Sequence, residues 1–282
     1  MIRVFALCLT ALSGLAAPTL PALASDETLA QVVAGDWRKA EDRVRDPDRH
    51  PVESLAFWGL TPGMAILEVQ PGGGWWTDIL APYAARTGGS YAATGPDLGD
   101  PELSERAKQG RARLEQKLAN AELYGRTSVV NWGPKASPPP EGTFDFALVS
   151  RSLHGWMRTE GAVDHYLGMI FTGLKPGGIL AIEQHRANPG AAEKSFQDGY
   201  VEEAAVIAAV EKAGFRLADR SEVNANPKDT KDHPFGVWTL PPTRISVPYG
   251  SGREPDPDFD HAPYDAIGES DRMTLKFLKP AD

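Results

Sequence analysis

Short apolar runs alternate with amphipathic stretches along most of this chain, and that rhythm restricts its fold more than any other feature. The runs "AILEV", "SYAAT", "TSVVN", "FDFALVS" and "GILAIEQ" read as mostly buried strands. Between and after them, "WWTDILAPYAAR", "PELSERAKQGRARLEQKLANAE", "GAVDHYLGMIFTGL" and "YVEEAAVIAAVEKAGF" carry helical periodicity. Strands separated by helices cannot pair as hairpins, so the spacing predicts a doubly wound, mostly parallel sheet with helices on both faces. "FGVWTL" and "RMTLKFL" lack a helix between them and predict an antiparallel hairpin at one edge. Their Pro-, Gly- and Asp-rich connection, Pro241 to Asp271, reads as a long surface loop, as does "ASPPPEG".

Ahead of this α/β region, 61–282, stand two other segments. Residues 1–24 hold one early cation, Arg3, the apolar run "VFALCLTALSGLAA" and "ALA" before Ser25, the pattern of a cleaved export signal. The run is short of the roughly 20 residues that span a bilayer. A periplasmic protein without a membrane anchor after cleavage is therefore expected. Residues 25–60 read as an N-terminal helical cap: a helix from about Asp26 to Glu41 capped by Ser25, the connection "DRVRDPDRHP", and a short helix "VESLAFWGL".

Charge and cysteine content remove several function classes. The net charge of −9 argues against a nucleic-acid partner, which needs clustered cations, and gives no support for binding an anionic membrane. Cys8 is the only cysteine, so beyond the signal there are no disulfides and no thiol chemistry. The six histidines lack H-E-x-x-H spacing and no metal site is expected. "YGSG" at Tyr249–Gly252 is not the G-x-S-x-G of a serine hydrolase.

The first strand runs into "LEVQPGGGWW", three consecutive glycines at the first β-to-α turn, the usual ligand position of an open α/β sheet. Glycines there imply positive φ or a ligand lying against the main chain. The dinucleotide pattern G-x-G-x-x-G fails because Thr77 stands where the third glycine belongs, and no Gly-Lys-Ser/Thr of a P-loop follows. An uncharged nucleoside suits this turn better than a pyrophosphate.

"GMAILEVQPGGGWWTDILAPY", "FDFALVSRSLHGWM" and "LKPGGILAIEQHR" resemble successive motifs of class I S-adenosylmethionine-dependent methyltransferases. They are most similar to a bacterial group of predicted exported methyltransferases with "PGGGW" in the first motif, over roughly Pro51 to Pro280. The resemblance implies a seven-stranded sheet whose last strand is antiparallel. It also implies S-adenosylmethionine as cofactor, a small-molecule acceptor, and a cofactor site at Glu68 and Pro71, Gly72, Gly73 and Gly74, with Ser150 at the end of the fourth strand. Gln70 replaces the family's first glycine, and the acid that ends the second strand is absent at Thr94 and Gly95; either Asp97, one turn later, takes its place or no residue does.

His154 and His185, after the fourth strand and at the end of the fifth, are the catalytic candidates; a histidine near its ordinary pKa can take a proton from an acceptor. Packing and capping are the alternatives for His154, and a solvated sheet rim for His185 with Glu183. Arg49 and His50 in "RDPDRHP" read as a solvated charge run, with a carboxylate partner for Arg49 as the alternative. Of Trp75 and Trp76, one is expected in the core and the other stacked on an adenine.

Overall fold

The computed structural model describes residues 26–191 and 195–281; the export-signal segment lies outside them. Seven strands form one sheet: β1 (Ala65–Val69), β2 (Ser90–Pro96), β3 (Thr127–Trp132), β4 (Phe144–Ser150), β5 (Leu174–His185), β6 (Arg216–Ser221) and, after a short β7 (Pro234–Val237) outside it, β8 (Arg272–Leu278). Their order is β3-β2-β1-β4-β5-β8-β6. All pairs from β3 to β5 are parallel, and β8 runs antiparallel to both β5 and β6.

Period-two side-chain alternation splits the interior into two cores, one per face. Leu67, Val69, Leu180 and Ile182 face the helices Ala162–Gly173 and Glu203–Lys212. Ile66, Phe146, Ile179 and Ala181 face the opposite layer, built from Glu27–Val33, Pro51–Trp58 and Thr77–Thr87. Strands covered on both faces must be apolar throughout, which is why their sequences form continuous runs rather than alternating ones. Trp58 locks the N-terminal layer to the sheet: it is fully buried and its indole N–H donates to Leu275 O at 3.0 Å. Burying a side chain of that size contributes about 2–3 kcal/mol.

The sheet has the expected doubly wound form, with three local departures. The first helix starts on Asp26, whose carboxylate accepts from Leu29 N, and ends at Val33 rather than Glu41. Tertiary anchors beyond it, Trp37 Nε1 to Asp78 O at 2.9 Å and Arg38 to Asp46 at 2.7 Å, override helix continuation. The antiparallel partner of β8 is "RLADRS", not "FGVWTL". Strand β6 is a polar, mostly exposed edge without an apolar run to betray it, whereas β7 leaves the sheet and packs by Gly236 on the backbone of Asp198. The connection from Pro241 to Asp271 is not merely surface: Pro241, Pro242, Thr243, Glu269 and Ser270 reach back over the carboxyl ends of the strands. Among the described residues no helix is long and apolar enough to cross a membrane.

Candidate functional site

From β1 the chain passes to β2 on one side while β4 pairs on the other, so the strand order reverses between β1 and β4. A crevice opens at such a reversal because the following loops diverge. Here it holds two adjoining chambers of about 360 and 920 Å³, which share Gln70, Gly72, Arg151, Ser152 and His154.

The glycine turn forms the floor. Gln70, Gly72 and Gly74 take φ of 52°, 57° and 87°, three left-handed residues at alternate positions. For a residue with a Cβ that conformation is costly, roughly 1 kcal/mol or more. Gln70 is held in it from two sides: its N–H donates to Thr94 Oγ1 at 2.7 Å and its Oε1 accepts from Trp156 Nε1 at 2.8 Å. Gly73 has no positive φ, and a Cβ added there would meet nothing within 4 Å. Neither strain nor internal packing requires glycine at 73, which lines the smaller chamber.

Glu68 lies beneath the turn, 3% exposed, accepting from Tyr91 Oη at 2.5 Å and Thr77 Oγ1 at 2.9 Å. Burial pushes its carboxyl up to about 7, against the two hydrogen bonds that favour ionisation. Trp75 and Trp76 are both core, 5% and 3% exposed, packed edge to face at 4.7 Å. Neither ring is free to stack on an adenine; their edges reach the chamber, with Trp75 Nε1 on Asp42 O and Trp76 Nε1 on Ser150 Oγ.

From β4, Ser150 donates to Glu183 Oε2 at 2.6 Å. Glu183 is 1% exposed and pairs with Arg272 at 3.1 Å, so it is buried rather than on a solvated rim. Arg151 follows with φ of 58°, its N–H on Glu183 O at 2.7 Å. Arg49 is likewise no solvated charge: it is 1% exposed and its Nε donates to both oxygens of Glu269, at 3.0 and 2.9 Å. The helical cap and the last loop, 220 residues apart, are thereby joined at the chamber wall. His50 instead faces Asn224 Oδ1 at 3.3 Å, away from both chambers.

His154 and His185 face each other with ring centroids 5.8 Å apart. Gln184 Nε2 donates to Gly199 O at 3.1 Å, which fixes the orientation of its amide, and lies 3.2 Å from His154 Nδ1. Nδ1 is therefore an acceptor and the proton of the neutral ring sits on Nε2. Burial, chiefly, lowers His154 to about 4 and holds His185 well below its ordinary value. His185 Nδ1 is 2.6 Å from Ser270 Oγ. In this tautomer His154 offers an N–H rather than a lone pair.

Of the residues singled out in the sequence, Glu68, Pro71, Gly72, Gly73, Ser150, His154 and His185 line the smaller chamber, while Gly74 stands before helix Thr77–Thr87 and accepts from Asp78 N at 3.0 Å. Asp97 lines neither chamber. Strand β2 continues past Thr94 through Gly95 and Pro96, paired with Asn131 and Trp132, and carries Asp97 beyond the turn. Arg45, Arg151, Trp238, Glu269 and Ser270 also line it and were not singled out. Arg151 was visible within "SRSLHGWM", whereas Glu269 sits in a loop with no local signal.

No family model matches the chain, and no curated protein does. Solved structures do. A Galdieria sulphuraria protein provisionally assigned as a sarcosine dimethylglycine methyltransferase matches at 14% identity over 92% of each chain, TM-score 0.54. A SAM-dependent methyltransferase from Aquifex aeolicus matches at 19% identity over 70% of this chain and 93% of its own, TM-score 0.49. The Burkholderia thailandensis 1,6-didemethyltoxoflavin-N1-methyltransferase, solved with S-adenosylhomocysteine, matches at 17% identity over 94% of each chain, TM-score 0.46. The first of these likenesses establishes the fold: a seven-stranded mixed sheet of the Rossmann-like methyltransferase type.

Proposed function

We propose that this protein is an enzyme that transfers a methyl group from S-adenosylmethionine to a small-molecule acceptor in the cleft between β1 and β4. The observation that carries the reading is Gly73, a glycine that the fold does not need, lining a chamber at the strand-order reversal. The residues present suit the cofactor. Gly72 and Gly73 N–H donate to no described residue, and both glycines line the smaller chamber, which leaves two donors for a carboxylate. Glu68 and the turn Pro71–Gly74 would hold the methionine and nucleoside parts. When bound, S-adenosylmethionine supplies an activated methyl group.

The protein's contribution is then alignment and exclusion of water, which can account for a large share of such a rate. Trp75, Trp76 and Trp238 wall the smaller chamber, and the His154 N–H is placed to hold an acceptor atom. With signal cleavage before Ser25, the mature enzyme would work in the periplasm.

A second reading, an exported binding protein on a degenerate methyltransferase fold, is favoured by one observation. Neither Thr94 nor Gly95 supplies the ribose-binding acid of the resembled family, and the Thr94 hydroxyl already accepts from Gln70 N. Calorimetric titration of the protein from Ser25 onward with S-adenosylhomocysteine separates the two. Saturable one-to-one heat is expected; no heat up to the solubility of the ligand would transfer the case to the second reading.

A further inference from the structure

Four guanidinium groups meet around the smaller chamber, and too few carboxylates answer them. Glu269 is shared by three: Arg45 at 2.8 Å, Arg49 at 2.9 Å and Arg272 at 2.8 Å. Glu183 pairs with Arg272 at 3.1 Å, and Asp42 is 3.8 Å from Arg45. Arg151 forms no salt bridge with any described residue; its one side-chain hydrogen bond is Nε to Ser150 Oγ at 3.3 Å. Three carboxylates thus stand against four permanent cations, and the one further carboxyl of the chamber, Glu68, pairs with none of them and is shifted toward its neutral form by burial.

The surplus is directed. Arg49 spends only Nε on Glu269, and both of its terminal nitrogens, Nη1 and Nη2, are buried without a hydrogen-bond partner among the described residues. The guanidinium is 4.8 Å from the Trp75 ring centroid, which fixes its plane. Arg49 and Arg151 both line the chamber, as do Ser152 and Ser270. A buried guanidinium with two free parallel N–H groups is matched by a planar, two-oxygen anion. Leaving such a group unpaired is costly, so the pattern points to a ligand rather than to packing.

We propose that Arg49, supported by Arg151, forms a subsite for the carboxylate of an acidic small molecule, which, on the methyl-transfer reading above, is the acceptor. On that reading the unpartnered N–H groups of Gly72 and Gly73 are left for the cofactor's own carboxylate. The larger chamber, walled by Trp156, Tyr166 and Tyr249, continues from Arg151 and His154 and has room for the body of the acid.

The test uses the protein from Ser25 onward with acetate and benzoate as probes, against chloride at equal ionic strength. Both carboxylates should raise the melting midpoint, and should still do so with S-adenosylhomocysteine saturating. Arg49→Lys, which keeps a charge beside Glu269 but not the fork, and Arg151→Met should each weaken carboxylate binding at least tenfold. No rise beyond chloride, or a rise that survives in both variants, overturns the subsite. So does competition: carboxylates that weaken S-adenosylhomocysteine but leave 5′-methylthioadenosine untouched would mean that the arginines read the cofactor's amino-acid end. A carboxylate response without any response to S-adenosylhomocysteine leaves the subsite standing and removes the methyl-transfer reading instead.

Discussion

The backbone N–H of Gln70 donates to the hydroxyl of Thr94 at 2.7 Å, tying the left-handed start of the glycine turn to the end of β2. Thr94 is 2% exposed, so the acceptor lies inside the fold although Gln70 itself is exposed. Thr94→Val keeps the shape and removes the acceptor; it should cost about 0.5–1.5 kcal/mol. For a domain of this size that is a fall in Tm of roughly 1–6 °C. Thr94→Ser should lose much less. Denaturant unfolding of the two variants makes the comparison, and equal stability would show that the turn is held by something else.

Glu68 gives the protein an alkaline liability. Its folded pKa is raised from an ordinary 4.5 to about 7, chiefly by burial, so the neutral carboxyl is the favoured form in the folded state. The associated stability is complete below about 4.5 and is lost as the pH rises through about 7, amounting to about 3 kcal/mol. Glu68→Gln keeps an acceptor for Tyr91 and cannot ionise. Its stability relative to wild type should therefore climb between pH 5 and pH 8, measured by urea unfolding across about that range. A flat difference would mean that Glu68 is already ionised at low pH.

His154 acts in the opposite direction. A folded pKa lowered from 6.5 to about 4 contributes stability that is present above 6.5 and lost as the pH falls through about 4. His154→Gln should remove that part of the acid destabilisation. Nitrogen-15 spectra of the labelled protein at neutral pH should show the His154 proton on Nε2, with Nδ1 bare beside Gln184. A proton on Nδ1 would restore the ring as a general base, the role its place in the sequence first suggests.

Export is tested directly by sequencing the amino terminus of the protein recovered from its native host, which should begin at Ser25. An intact chain starting at Met1, recovered from the cytoplasm, contradicts the periplasmic assignment.

The parallel sheet was legible because strands covered on both faces must be apolar, and "AILEV" or "FDFALVS" can hardly be anything else between amphipathic helices. Strand β6 was not, since "RLADRS" is a polar edge defined only by pairing with β8. The same divide runs through the site. The glycine turn, His154 and His185 follow strand ends and are marked locally. The arginine cluster is not, because the value of Arg49 depends on Glu269, 220 residues away in a loop without pattern. In sequence, "RDPDRHP" has the composition of a surface, and only tertiary burial distinguishes Arg49 from its neighbours. Asp97 illustrates the converse: an acid near the expected place, carried out of reach because β2 runs on through Pro96.

The most direct test of the account compares two proteins, wild type and Gly73→Val, each with and without S-adenosylhomocysteine. Gly73 has neither a positive φ nor a neighbour within 4 Å of an added Cβ, so the variant should fold and melt within a few degrees of wild type. At ligand near 100 times Kd, binding to the native state alone stabilises wild type by about 2.7 kcal/mol. That corresponds to a rise of roughly 5–11 °C. The account predicts this rise in wild type and its loss in Gly73→Val, whose branched carbons would stand where the ligand lies. A wild type that does not respond, or a variant that responds equally, would contradict the claim that Gly73 is there to admit the cofactor.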